Sequence, residues 1–194
     1  MADQNDLRKR LERIVFPTLF AALIAAGAFM ALPLPASPVP LVLQNLLAVL
    51  AGLLLGPLQG AGAVLLFLIL GALGFPVFSG GHGGLAWFAG PTGGYLVGYV
   101  LAALIAGLLA RNRGKFRTFI GSVAGFASIL VVGAIRLKFY KNLDWTSAFL
   151  VGILPFAIGD SIKAIAAFLL ALRLGSFIDR IRDRSGFEKE EISE

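Results

Sequence analysis

The sequence predicts an all-α membrane protein of six transmembrane helices with both termini cytoplasmic. Three observations predict it. The 194 residues are 58% hydrophobic and 14% charged, with a mean hydropathy of +0.86, more apolar surface than a soluble domain of this size can hide. The apolar residues run in continuous stretches instead of alternating, which favours helices over a barrel. The basic residues gather beside those stretches: Arg8, Lys9, Arg10 and Arg13 before the first, Arg111, Arg113, Lys115 and Arg117 in one mid-chain loop, and Arg173, Arg180, Arg182, Arg184 and Lys189 after the last.

The first span is expected over 14–32. It exceeds the ~7–15 apolar residues of a signal-peptide core, so it reads as a retained span despite the Ala36-Ser37-Pro38 sequence that follows. Pro33, Pro35, Pro38 and Pro40 then make a non-helical connection. The apolar run 41–73 is too long for one span of ~20 residues. It divides at Gly56-Pro57 into spans 41–55 and 58–73. The fourth span is 95–110, the fifth 119–135 and the sixth 148–172. Six spans place thirteen of the 17 basic residues on the side of the termini, and the positive-inside rule makes that side cytoplasmic. The division is then a cytoplasmic segment 1–13, a membrane domain 14–174 with an external loop 74–94, and a cytoplasmic tail 175–194.

Segment 74–94 is rich in Gly yet contains Phe75, Phe78, Trp87 and Phe88, with His82 its one ionisable residue. A solvated linker would be more polar, so this loop is expected to fold back on the membrane domain. Its end, Gly90-Pro91-Thr92-Gly93-Gly94-Tyr95, lacks the order of a potassium-selective filter and the Lys-Ser/Thr of a phosphate loop. Its glycines are expected to occupy positive φ.

The net charge of +6 does not imply nucleic acid, because the charges flank spans and form no continuous stripe. The chain has no cysteine, so disulfides and thiolate chemistry are excluded, and one histidine cannot build a metal site without carboxylate partners. No Ser-His-Asp set, HExxH or aspartate-rich metal motif is present, so no enzyme activity, metal or cofactor is expected.

Asp160 and Lys163 break the sixth span. A charge at mid-bilayer costs about 2.5–3.5 kcal/mol on insertion scales, and two on one helix face require a reason. If the helix begins at 148 the pair lies roughly 18–22 Å in; if it begins at Pro155, a favoured first position, only one to two turns. One reading is an internal ion-pair clamp. The other is a site shared with a polar ligand, Asp160 accepting N–H groups and Lys163 donating to oxygen. Gln44 and Asn45 open the second span, placed either to face the same pocket or to bond between helices. Trp87, Phe78 and Tyr95 either wall an apolar ligand or anchor at the interface. The pairs Ala21/Ala25 and Ala22/Ala26 let another helix approach, from within the chain or from a partner.

Several segments together resemble the BioY family, the biotin-specific S components of energy-coupling-factor (ECF) transporters. They are Pro38-Val39-Pro40 with Leu43-Gln44, the run from Leu50 to Pro57, the run from Gly71 to Phe78, Gly90 to Tyr95, and Gly159-Asp160 with Lys163. The resemblance implies an ECF S-component-like fold, high-affinity biotin binding from outside, and uptake across a bacterial or archaeal cytoplasmic membrane. It implies a transmembrane coupling subunit and two ATPase subunits as partners, with Ala21, Ala22, Ala25 and Ala26 at the coupling subunit. The substrate-binding residues would be Asp160, Lys163, His82, Tyr95, Gln44, Trp87 and Phe78. His82 stands where similar proteins often have Asn, and Leu96 where some have Arg, which leaves water, Lys163 or Arg136 to meet the biotin carboxylate. The alternatives are an S component for another vitamin and a non-transporting structural membrane protein.

Overall fold

The computed structural model describes residues 2–111 and 114–187, with side chains described at 7, 10–111 and 114–178. The basic side chains at Arg8, Lys9, Arg113, Arg180, Arg182, Arg184 and Lys189, which carried part of the charge-bias expectation, lie outside the described residues.

Helix α1 (Ala2–Ala26) passes into a 3₁₀ turn, Gly27–Phe29. The expected 14–32 span is thus shorter at its end. Leu32 precedes Pro33, which disfavours helix, and β1 (Ala31–Leu32) instead pairs antiparallel with β2 (Leu41–Val42), joining Ala31 to Val42 and Leu32 to Leu41. The proline-rich connection is therefore a hairpin loop. Because β2 uses Leu41 and Val42, α2 begins only at Gln44 and runs to Leu55. Gly56 ends it at φ +86°, and Pro57 opens α3 (Pro57–Ala72) at the first helical position, as the sequence predicted.

Segment 74–94 does fold back. Gly84 N–H donates to Gly71 O (2.7 Å) and Gly80 N–H to Ala28 O (3.3 Å). Phe78 is fully buried, edge-on to Phe67 and Phe88. A short helix, α4 (Ala86–Ala89), precedes α5 (Gly93–Leu109). The positive-φ expectation for the Gly90–Gly94 motif is wrong: Gly93 and Gly94 are helical, and the left-handed glycines lie upstream at Gly74, Gly80, Gly81 and Gly84. What Gly94 supplies is space, since a Cβ there would lie 2.3 Å from Arg136 Cβ.

Helix α6 (Lys115–Lys141) outruns the expected 119–135 and takes Arg136, Lys138 and Lys141 into its last turns. Asn142, in the left-handed region, ends it. The expected sixth span is two helices, α7 (Trp145–Gly152) and α8 (Leu154–Phe187). Pro155 causes the break, for it has no N–H to give Val151 O and its ring crowds that carbonyl. Helix α8 also runs on well past 172.

Helix α5 packs against α2, α3 and α6, and small residues set the spacing. A Cβ on Gly52 would lie 2.2 Å from Ala103 O, and one on Gly107 2.5 Å from Pro57 N. Among the described residues, three helices are long and apolar enough to cross a membrane: Arg10–Phe29, Lys115–Lys141 and Leu154–Ile178. Gln44–Leu55, Pro57–Ala72 and Gly93–Leu109 are apolar but shorter.

Candidate substrate-binding site

The polar cluster is built by two helix starts. The Pro155 break begins α8 at Leu154, so Asp160 lies six residues into the helix, about 9 Å along its axis. The hairpin delays α2 and puts Gln44 and Asn45 in its first turn. Asp160 is 3% exposed. Its Oδ1 accepts from Lys163 Nζ (2.9 Å) and from Asn45 Nδ2 (2.9 Å). Lys163 Nζ also donates to Asn45 Oδ1 (3.1 Å) and Val42 O (2.8 Å). All three ammonium donors are thereby matched, while one carboxylate oxygen carries both contacts to Asp160. A buried charge pair persists only with such additional hydrogen bonds.

Beside this cluster lie two cavities. The larger, about 560 Å³, is lined by the hairpin loop (Pro33, Leu34, Pro38, Pro40) and by His82, Trp87 and Thr92. That volume suits a small-molecule ligand. The smaller, about 30 Å³, is lined by Val42, Gln44, Phe78, Trp87, Tyr95, Leu96 and Tyr99 among others. Pro40, Ser79, Trp87 and Thr92 belong to both walls, so the two adjoin. Val42 lines the smaller cavity while its carbonyl holds Lys163, which sets the ion pair directly behind that wall.

Five of the expected site residues thus meet at the cavities: His82, Trp87, Gln44, Phe78 and Tyr95. Trp87 stacks on His82, ring centroids 4.7 Å apart at 22°. Gln44 is buried and donates to Val77 O (2.8 Å), pinning the loop. Tyr95 OH donates to Gly152 O (2.7 Å). That carbonyl is orphaned by the α7–α8 break, where Phe156 N–H bonds Ile153 O instead. Asp160 and Lys163 line neither cavity; they back the wall.

The alanine pairs separate. Ala21 is 1% exposed, on the face of α1 turned to the chain's own core, while Ala22 and Ala26 are exposed and Ala25 is half-buried. Ala21 is therefore corrected from partner contact to core, because α1 packs on α3 and α2. Arg136 lines neither cavity and donates to Ala89 O.

The sequence reading missed the proline loop as a cavity wall, the Val42 carbonyl as an acceptor, and Tyr99. Tyr99 had a signal, being four residues after Tyr95 on the same face of α5. The Val42 carbonyl had none, since the strand pairing that turns it inward joins residues far apart.

A family model described as the BioY family matches residues 2–180. A protein of Pyrococcus horikoshii named as a probable biotin transporter BioY is 41% identical over 165 residues, covering 85% of this chain and 97% of that one. The biotin transporter BioY of Thermotoga maritima is 41% identical over 165 residues, covering 84% and 96%. The fold is similar to the crystal structure of the S-component for biotin from an ECF-type ABC transporter, with a TM-score of 0.80 and 32% identity over 86% of this chain and 92% of the other.

Proposed function

The chain belongs to the BioY family, and from that premise we propose that it is the biotin-specific S component of an ECF-type transporter, binding biotin for uptake. It is a transporter component and not an enzyme. The proposed topology has six spans, α1, α2, α3, α5, α6 and α8; α2 is buried nearly throughout, while α3 and α5 each keep an exposed apolar face. The segment before 14 and the tail after 174 then lie in the cytoplasm, and the membrane is the cytoplasmic one. A coupling subunit would meet the exposed Ala22 and Ala26 side of α1, and two ATPases would supply the energy.

The observation that carries the site is the cavity backed by a buried ion pair. Biotin has an apolar bicycle, a ureido group with two N–H donors and one C=O, and a carboxylate tail. The stacked His82 and Trp87, with Phe78 and Tyr95, offer the bicycle an apolar wall. Asp160 has one oxygen free of hydrogen bonds among the described residues, available to a ureido N–H. Lys163 and Gln44 can exchange a backbone carbonyl for a ligand oxygen.

Equilibrium binding of biotin to purified protein tests this. Asp160→Ala and Lys163→Ala should each weaken binding at least about 100-fold, or some 2.7 kcal/mol. Unchanged affinity in both would refute the site. Competition with thiamine and riboflavin decides the ligand, and displacement by either would make this an S component for another vitamin. The matched donors of Lys163 favour one second reading, a structural membrane protein in which the pair is only a clamp. That reading predicts no biotin binding and tolerance of the double swap Asp160→Lys with Lys163→Asp.

A further inference from the structure

Arg136 stands near the C-terminal end of α6, apart from the ion pair and from both cavities. Its Nη2 donates to the carbonyl of Ala89, the last residue of α4. That carbonyl lies in a helix end and has no helical partner. Helix α4 has only four residues and none is buried. Glycines flank it, Gly84 at φ +98° and Gly90. Yet α4 carries Trp87, which belongs to both cavity walls and stacks on His82. Phe88 packs this turn edge-on against Phe78, and Thr92 Oγ1 donates to Trp87 O, but beyond them the exposed Ala89 and the Gly90 after it carry no side chain long enough to hold the end of the turn still.

Two features set Arg136 to that task. Gly94 leaves room for its stem, because a Cβ there would lie 2.3 Å from Arg136 Cβ and 2.8 Å from Val132 O. The guanidinium also sits over the Tyr140 ring, 5.8 Å from its centroid, which limits its swing. We infer that Arg136 is a positioning residue: it latches α4 through the Ala89 carbonyl and so holds Trp87 as the cover of the cavity. The cation does not serve as the ligand's anion partner. Its removal should loosen the cover and speed release, with little effect on entry. The inference rests on the cavity being the biotin site, and the test below separates the two.

The test uses full-length protein in a Trp145→Phe background, which leaves Trp87 as the one tryptophan. Acrylamide quenching of Trp87 is measured without ligand, and biotin association and dissociation rates with it, in Arg136→Met and Arg136→Lys. The latch predicts stronger quenching and about tenfold faster dissociation in Arg136→Met, an unchanged association rate, and partial recovery in Arg136→Lys. Unchanged quenching and dissociation would overturn it, even with biotin bound normally. Slower association with unchanged dissociation would also overturn it, by making the cation an electrostatic guide. If the parent protein does not bind biotin, the site reading fails, and quenching alone decides the latch. If Arg136→Met does not fold, Arg136→Gln carries the same comparison.

Discussion

The helix seam at Gly52–Ala103 and the cavity end are held together in opposite ways. At the seam, backbones touch because glycine leaves room: Gly52 meets Ala103, Gly107 meets Pro57 and Gly60 meets Gly52. No polar contact is required there. At the cavity end the chain is irregular, and five side chains donate to backbone carbonyls that local structure leaves open: Gln44 to Val77, Thr92 to Trp87, Lys163 to Val42, Tyr95 to Gly152 and Arg136 to Ala89. Irregular backbone at membrane depth is tolerated only when its polar groups are satisfied within the protein. The seam is rigid as a unit, whereas the cavity end is held by contacts that can be released singly. A site that admits and releases a ligand needs the second kind of construction.

The comparison breaks first if the seam tolerates bulk. Gly52→Val should remove most folded protein, because the nearest obstacle is backbone and cannot rotate away. Monodisperse recovery from detergent measures this, and normal yield with normal melting would contradict the close-packed seam. A smaller effect is expected at the cavity end. Tyr95→Phe leaves the Gly152 carbonyl without its donor, at a cost of about 1–3 kcal/mol. It should lower the Tm by several degrees while the protein still folds. A loss as complete as that of Gly52→Val would show the two regions to be equally rigid.

The smallest effect lies outside both. Asp144 caps α7, accepting from Thr146 N–H (3.1 Å) and Ser147 N–H (3.3 Å). Hydrogen bonds from Ser147, then from Thr146, hold its carboxyl below the usual carboxylate range. A lowered folded-state pKa means that the stabilisation is present above about pH 4 and fades as the pH falls through the folded value. Asp144→Asn should lower the Tm slightly at pH 7, and the gap from the parent should close as the pH falls below the ordinary carboxylate range. A gap that is independent of pH would show that the charge plays no part in the cap.

Much of the fold was legible because its causes are local. Gly56-Pro57 splits an apolar run at one turn, and Pro155 restarts a helix wherever it falls after Val151. The aromatic content of 74–94 showed that the loop packs inward. What misled was local reasoning about a non-local property. The glycines of Gly93-Gly94 looked like a turn but are helical residues making room for α6. Ala21 and Ala22 looked alike, yet only the packing of α1 on α3 puts one in the core and the other at the surface.

The sequence by itself determined the class of molecule, the helix breaks and the cost of placing Asp160 and Lys163 among apolar residues, because hydropathy and backbone stereochemistry act residue by residue. Only the tertiary structure decided that the pair backs a cavity wall instead of lining it, that Val42 and Asn45 complete it, and that Arg136 reaches the α4 carbonyl. Those contacts join residues 47 to 121 positions apart, and such meetings depend on how the helices pack together.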